Sequence, residues 1–213
     1  MKINAYDFDG TIYDGDSSLD FYLFNLRKHK KEVIHLFPII IDLVAYKLKK
    51  KTMEQVKEEF FSFLKRNNNT QELIKEFWDK NEHKIKDFFK EQTTKNDVII
   101  SASPTVLLEE VMSRLGDYKV IATNVDINTG KLLSKNCKGS EKIVRLKEVY
   151  KDVEVENTYT DSYSDQPLID IAKNAYLVKK NKVKKIKWCI IVLWRGDANE
   201  KMCHYNESRK WKR

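Results

Sequence analysis

Five short runs of β-type residues recur along the chain, at 3–6, 98–100, 119–122, 158–160 and 176–178, and each passes into polar residues. Helical patterns separate most of them. This alternation confines the chain to an α/β class with a largely parallel sheet, because parallel neighbours need long, usually helical, crossovers. Between the first and second runs lie roughly eighty residues of different character, almost free of Gly and Pro and helically spaced throughout. Leu19, Tyr22, Leu23 and Leu26 mark one apolar stripe, and Val56, Phe60, Phe63 and Leu64 a second. Leu73, Phe77 and Trp78 begin a third, which Ile85, Phe88 and Phe89 continue. The block therefore reads as a small helical bundle inserted after the first strand. Thr70 is the expected N-cap after the break at 67–70, and Pro38 is expected to start or kink the helix across 34–46. Residues 126–131 read as a turn between two short strands, with Gly130 supplying a positive φ.

A chain of 213 residues, 41% hydrophobic, suffices for one ordinary domain or a core domain with a smaller insert. The expected division is a core from 1–15 and 96–180, a cap from 16–95, and a polar C-terminal extension from 181–213, partly disordered. Forty Lys and Arg against 32 Asp and Glu leave a formal charge of +8, which favours anionic partners in general. Much of the excess lies at 47–51 and 179–187, where the plain reading is a solvated face or linker. The alternative of a nucleic-acid binder lacks the aromatics that would interleave such runs, so no nucleic-acid partner is expected. Cys137, Cys189 and Cys203 form no CxxC pair and leave an odd thiol, which argues against a disulfide framework. His29, His35, His83 and His204 show no metal-ligand spacing. Met-Lys leads straight into a strand with no apolar signal region, so a cytoplasmic protein is expected. The most apolar windows, 34–46 and 186–194, are shorter than the roughly 20 residues of a membrane-spanning helix.

The chemistry begins at 7-DFDGT-11, directly after the first strand. In an open α/β sheet ligands sit beyond the carboxyl ends of the strands, which is where Asp7 and Asp9 project. Two carboxylates so spaced can divide labour, one ionised as a nucleophile and the other protonated as an acid. Gly10 lets the backbone turn sharply and approach a phosphate, with Thr11 beside it. The second run ends in Ser101-Ala102-Ser103, where the Ser101 hydroxyl and backbone N–H groups, that of Ala102 included, are placed to hold a phosphate oxygen. The fourth ends in Asp161, with Asp165 four residues on, and carboxylates of this kind suit Mg²⁺. Taken singly, each motif also reads as a turn or a helix cap. Three polar sites at three strand ends weigh against that account.

With those residues in order, the sequence resembles the haloacid dehalogenase-like superfamily, and within it the phosphoserine phosphatase-like group (subfamily IB) that includes related lipid-phosphate phosphatases. The resemblance covers roughly residues 1–180: 7-DFDGT-11 matches the first motif, Ser101 the second and 161-DSYSD-165 the fourth. It implies a Rossmann-like parallel sheet core with an inserted α-helical cap. It also implies a magnesium-dependent phosphatase in which Asp7 attacks phosphorus while Asp9 first protonates the leaving oxygen and then activates water. Asp7, the Asp9 carbonyl and Asp161 would hold Mg²⁺, with Asp165 as a further ligand or support. The third motif is a Lys, for which 138-KGSEK-142 offers Lys138 and Lys142. With Ser101, that Lys would neutralise the phosphoryl oxygens. Thr160 stands where many relatives carry Gly, and the loop after Ser101 lacks a Gly common in phosphoserine phosphatases. Asp16 replaces the Glu those enzymes use for the substrate amine, one methylene shorter, which weakens the case for phosphoserine itself. A family member that has kept the fold as a silent binding module is the alternative, although every expected catalytic group is present.

The segment 34–46 is too apolar all round for a helix with one solvated face, and Lys47, Lys49, Lys50 and Lys51 follow it. The plain account is a helix buried centrally in the cap. The other is an interfacial segment touching an anionic membrane, which would suit a lipid phosphate as substrate rather than a small phosphorylated metabolite.

Overall fold

The computed structural model describes residues 1–94, 96–186, 188–191 and 203–206. Strands β1 (Lys2–Tyr6), β2 (Asp97–Pro104), β3 (Lys119–Thr123), β4 (Glu154–Thr160), β5 (Asn174–Lys179) and β6 (Lys182–Ile186) form one sheet, ordered β3-β2-β1-β4-β5-β6. β1 to β5 run parallel, as the alternation of runs predicts, and β6 returns antiparallel beside β5. The order reverses at β1, so the crevice at its carboxyl end is the natural ligand position. Helices α1 (Ser17–Lys28), α2 (Leu36–Lys47), α3 (Met53–Phe61), α4 (Thr70–Asn81) and α5 (Asp87–Gln92) form the insert. The crossovers carry α6 (Thr105–Leu115), α7 (Ser140–Val149) and α8 (Gln166–Ile171).

Strand alternation gives the sheet two apolar faces. Ile3, Ala5, Val98, Ile100 and Val155 pack with Leu146 of α7 and Leu168 of α8. Tyr6, Ile99 and Tyr159 belong to a larger core with Leu108, Val111 and Met112 of α6, and this core continues into the cap. Tyr6, Tyr159 and Tyr176, paired in register on β1, β4 and β5, stack with ring centroids 4.5 and 4.8 Å apart. In the cap, α4 buries Leu73, Ile74, Phe77 and Trp78. Trp78 Nε1 donates to the Leu107 carbonyl at 2.7 Å, and Arg114 reaches Asp79 at 2.8 Å. The insert is thereby fastened to α6.

Several local expectations shift. The N-cap of α4 is Asn69, whose side chain accepts from the Glu72 N–H, while Thr70 is the first helical residue; Asn caps somewhat better than Thr. Pro38 falls in the first turn of α2 and starts the helix, since its missing N–H has no partner to lose there. Around 126–131 the turn forms, with Gly130 at φ 75°, but its flanks meet only in the single bridge Val125–Leu132. The sheet continues past residue 180, because Lys180 turns the chain at φ 52° into β6. Lysines at 182, 184 and 185 mask that strand in the sequence, and charged residues of this kind are what an edge strand carries. Farther on, Trp188–Ile191 (β7) pairs antiparallel with Cys203–Asn206 (β8). Trp194 and most of the extension expected to be disordered lie outside the described residues. The central burial expected of α2 is overturned: only Ile39 and Asp42 are buried, because a single helix, α3, covers it. Among the described residues no helix is long and apolar enough to cross a membrane.

Candidate active site

Asp7 leaves the end of β1 with its N–H on the Tyr159 carbonyl at 2.9 Å, so the backbone holds it in line with β4. Lys142, in the first turn of α7, places Nζ 2.7 Å from Asp7 Oδ1 and 2.7 Å from Asp165 Oδ2. The Lys142 and Asp165 side chains are each 3% exposed, whereas Asp7 is 14% exposed. Of the three, Asp7 is therefore the group that faces outward. Burial pushes the Asp7 carboxyl up to about 7 against the pull of Lys142. Burial alone would push Lys142 down, but Asp7 and Asp165 outweigh it and raise its pKa. Asp165 Oδ2 also lies 3.0 Å from the Thr160 hydroxyl, and Ser162 N donates to that same hydroxyl at 3.2 Å. Thr160, the residue that departs from the family pattern, orders the acidic loop that aims Asp165 at the lysine.

Asp9 has a different setting. Its Oδ1 accepts the Ser17 N–H at 2.7 Å and its Oδ2 accepts the Ser103 hydroxyl. Ser103 Oγ lies 2.9 Å from Ser18 Oγ and 3.3 Å from Ser17 Oγ. Burial raises the Asp9 carboxyl, with Asp16 adding to the rise and the serine bonds opposing it. Because each serine hydroxyl can rotate, the trio can donate to an ionised Asp9 or accept from a protonated one.

The loop after Asp9 is tied up internally. Gly10, at φ 71°, donates its N–H to the Gly15 carbonyl at 2.9 Å, and Thr11 donates to the Phe8 carbonyl at 3.2 Å. The sequence places Gly10 and Thr11 beside the phosphate, and in the structure these N–H groups are occupied by the turn itself. What Gly10 provides is room, since a Cβ there would stand 2.5 Å from Asp161 Oδ2. Thr11 Oγ1 is buried with no hydrogen-bond partner among the described residues. Lys86, buried at the foot of α5, donates to the Gly10 carbonyl and fastens the loop from the cap side.

Ser101 is buried on β2 and its hydroxyl accepts the Ser103 N–H at 3.1 Å. The Ala102 carbonyl accepts both the Thr123 hydroxyl at 2.8 Å and Lys57 Nζ at 2.7 Å. Lys57 belongs to α3, and its ammonium also reaches Asn136 Oδ1 at 2.7 Å. Burial pushes Lys57 down to about 8, with Asp9 and Asp16 pulling the other way. An ammonium has three donors, and these contacts use two. Asp16 itself is an exposed N-cap of α1, accepting the Leu19 N–H at 2.9 Å. Its position in the sequence is accounted for by that cap, and its charge still acts on Asp9 and Lys57.

The two lysine candidates separate clearly, since Lys142 is inside the acidic cluster and Lys138 is exposed on the loop before α7. Asp165 meets Lys142 and Thr160 through Oδ2, and the Asp9 side chain meets Ser17 and Ser103 through its two oxygens, so the oxygens expected to hold Mg²⁺ are those of Asp7, Asp161 and the Asp9 main-chain carbonyl, with Asp165 as a further ligand or support. Among the described residues no group of three His, Cys, Asp or Glu side chains is placed to hold a metal ion. Mg²⁺ needs no such group, because it keeps several waters and binds through one or two carboxylates plus substrate phosphate. The raised Asp161 carboxyl, half-buried beside Gly10 with Lys179 as its strongest opposing charge, fits a site completed by a cation.

Lys57, Lys86, Asn136 and the pairing role of Thr160 escape the sequence reading. Lys57 sits beside Val56 in a helix whose apolar stripe points elsewhere, so spacing alone marks it as solvated. Ser103 was legible only as part of the 101–103 loop.

The sequence profile of the haloacid dehalogenase-like hydrolases matches residues 5–170. A protein of unknown function from Bordetella pertussis Tohama I aligns with TM-score 0.69 and 16% identity, over 82% of this chain and 88% of its own. A phosphoserine phosphohydrolase-like protein from Francisella tularensis subsp. tularensis SCHU S4 aligns with TM-score 0.56 and 21% identity, over 82% of this chain and 86% of its own. A HAD family hydrolase from Salmonella enterica subsp. enterica serovar Typhi gives TM-score 0.54 at 16% identity, over 80% of this chain and 60% of its own. At such identities the likeness is one of fold. No curated protein matches the sequence.

Proposed function

Because the chain belongs to the haloacid dehalogenase-like hydrolase family, we propose that it is a magnesium-dependent phosphomonoester hydrolase working through an aspartyl-phosphate on Asp7. One observation carries the reading: two aspartates two residues apart have opposite company. Asp7 is ion-paired with Lys142 at 2.7 Å, whereas the hydrogen bonds to Asp9 come from neutral donors, Ser17 and Ser103. A neighbouring cation favours the charged nucleophile, and burial without one favours the protonated acid.

An Asp7 oxygen then forms a bond to phosphorus as the bond from phosphorus to the leaving oxygen breaks. Asp9 gives its proton to that oxygen. In the second half Asp9 takes a proton from water, the water oxygen attacks phosphorus, and Asp7 is released with inorganic phosphate. Lys142, already at Asp7, offers its charge to the phosphoryl oxygens, and Ser101 lies on the neighbouring strand end. Asp7, Asp161 and the Asp9 carbonyl would hold Mg²⁺, which when bound neutralises phosphoryl charge. The substrate class is a small phosphorylated metabolite or a lipid phosphate. Asp16 and Lys57, whose charges act on Asp9 and on one another's surroundings, are the groups we assign to selecting it.

The test uses the purified chain and para-nitrophenyl phosphate. EDTA should abolish phosphate release and added Mg²⁺ restore it. Asp7→Asn, nearly isosteric, should lower turnover on the order of 10⁴-fold or more with an unchanged circular dichroism spectrum. Full activity in EDTA, or substantial turnover by Asp7→Asn, would overturn the assignment.

A further inference from the structure

Helix α2 shows its apolar side to solvent. Ile39 and Asp42 face α3 and the interior, while Ile34, Phe37, Ile40, Ile41, Val44 and Leu48 are each half exposed or more. From Phe37 onward these follow the spacing i, i+3, i+4, i+7, i+11, one face of a helix, opposite the buried pair. A contiguous apolar stripe of this kind is uncommon on a protein surface without a partner.

Charge says what the partner is. Residues 30–51 contain six lysines, and their only acids, Glu32 and Asp42, are engaged by Arg66 and Lys51. Lys30, Lys31, Lys47, Lys49 and Lys50 are exposed at the two ends of the stripe. Lys49 takes φ 58°, a left-handed conformation that costs a side-chain-bearing residue roughly 1–2 kcal/mol and that Gly adopts freely. Protein–protein interfaces are enriched in aromatics and Arg and depleted in Lys. An apolar stripe with lysines at both ends is instead the pattern of a helix lying in the headgroup boundary of an anionic bilayer. At twelve residues α2 is about 18 Å long, enough to lie along the surface and too short to cross it.

We propose that the outward face of α2, with the lysines at its ends, docks the cap onto anionic lipid membranes. The apolar stripe enters the boundary, and Lys47, Lys49 and Lys50 meet the lipid charges. This rests on the geometry of 30–51 and holds whether or not the chain is a phosphatase.

The experiment is flotation of the full chain with vesicles of phosphatidylglycerol mixed with phosphatidylcholine, or of phosphatidylcholine alone, at low and high salt. Binding should need the anionic lipid and weaken in high salt as the screening length shrinks. Reversal of Lys47, Lys49 and Lys50 to Glu should lower partitioning on the order of 100-fold or more. The pair Phe37→Glu and Ile41→Glu should lower it at least about tenfold, with thermal melting unchanged because both positions are exposed. No binding to anionic vesicles at low salt overturns the proposal. So does binding that survives either set of substitutions, since the contact then lies elsewhere or is adsorption by charge alone. A stable dimer that the Phe37 and Ile41 substitutions dissociate, without vesicle binding, would assign the stripe to a second copy and equally overturn it.

Discussion

The floor and the roof of the candidate site are built on different terms. The floor comes from strand ends and the first turn of α7: Asp7, Asp161 and the buried Lys142–Asp165 pair, with Lys142 in direct ionic contact with Asp7 and Asp165. The roof comes from the insert: Ser17, Ser18 and Lys57, which reach the floor through Ser103, the Ala102 carbonyl, Asn136 and the Ser17 N–H bond to Asp9. In the floor Lys142 pairs directly with Asp7 and Asp165, whereas Lys57, half-buried, has only neutral oxygens in hydrogen-bond contact and burial drags its pKa down. A cation already paired with the nucleophile suits a group that every substrate shares, the phosphoryl. An undercompensated cation suits a group that arrives with the substrate and supplies the missing charge. The difference implies that floor substitutions should act on turnover and roof substitutions on affinity.

The strongest way to break this comparison is at Lys142. Lys142→Met removes the one cation between Asp7 and Asp165, leaving two buried carboxylates facing each other. Loss of one partner from a buried ion pair costs about 3–5 kcal/mol, so the melting temperature should fall clearly. Turnover should fall about 10²- to 10³-fold, the size of effect seen when one donor to a developing charge is lost. A variant with near-normal kcat and a raised KM would put Lys142 on the roof side and erase the distinction. Lys138→Ala, exposed on its loop, should leave both readouts unmoved.

The floor was legible in the sequence and the roof was not. Asp7, Asp9, Ser101, Asp161 and Asp165 each stand at the carboxyl end of a β-type run, and a parallel sheet gathers such ends into one crevice by topology alone. Lys57 stands in the middle of a cap helix, and its place depends on how α3 docks over β2, which no local pattern encodes. The fold divides the same way. Five parallel strands followed from short apolar runs, while β6 was hidden by the lysines suited to its edge position. Of the two accounts of α2 the buried one fails, because apolar content does not fix burial, and only packing reveals that its greasier side faces out.

Lys57→Met sharpens the comparison at intermediate size. The charge of Lys57 is disfavoured by burial in the folded protein, where its pKa is about 8, and comfortable in the unfolded chain at its ordinary 10.5. Between those values the unfolded state holds more protons, so stability rises with pH through that window. Below pH 8 both states are charged and the full penalty stands. Lys57→Met should therefore be more stable than the parent at neutral pH, by about 1–3 kcal/mol, with the gap closing as pH approaches 10.5. If Lys57 reads the substrate, KM for the physiological ester should rise by about tenfold, the weight of one charge-assisted hydrogen bond, with kcat little changed. A stability gap that does not narrow at high pH would show that Lys57 carries no buried charge to lose.

Ser103→Ala is the gentlest probe and bears on the seam between the two regions. Ser103 donates to Asp9 Oδ2 and is itself bonded to Ser17 and Ser18 of the roof. Among the forces on Asp9, burial raises the carboxyl most, while the Ser103 bond is the first of those lowering it. Removing that bond disfavours the ionised form, so the Asp9 pKa should climb further. As general acid Asp9 must be protonated when substrate binds, and kcat/KM therefore falls as pH rises through its pKa. In Ser103→Ala this descending limb should move to higher pH. The rate on the plateau should change only a few-fold, because Ser17 N–H still holds Asp9 Oδ1 at 2.7 Å. Substrates with poor leaving groups should lose more than para-nitrophenyl phosphate, since an acid of higher pKa transfers its proton less readily. A limb that stays in place while kcat drops equally for good and poor leaving groups would mean that Ser103 merely holds the cap against β2. The serine trio would then be packing at the seam and not a device for setting the protonation of Asp9.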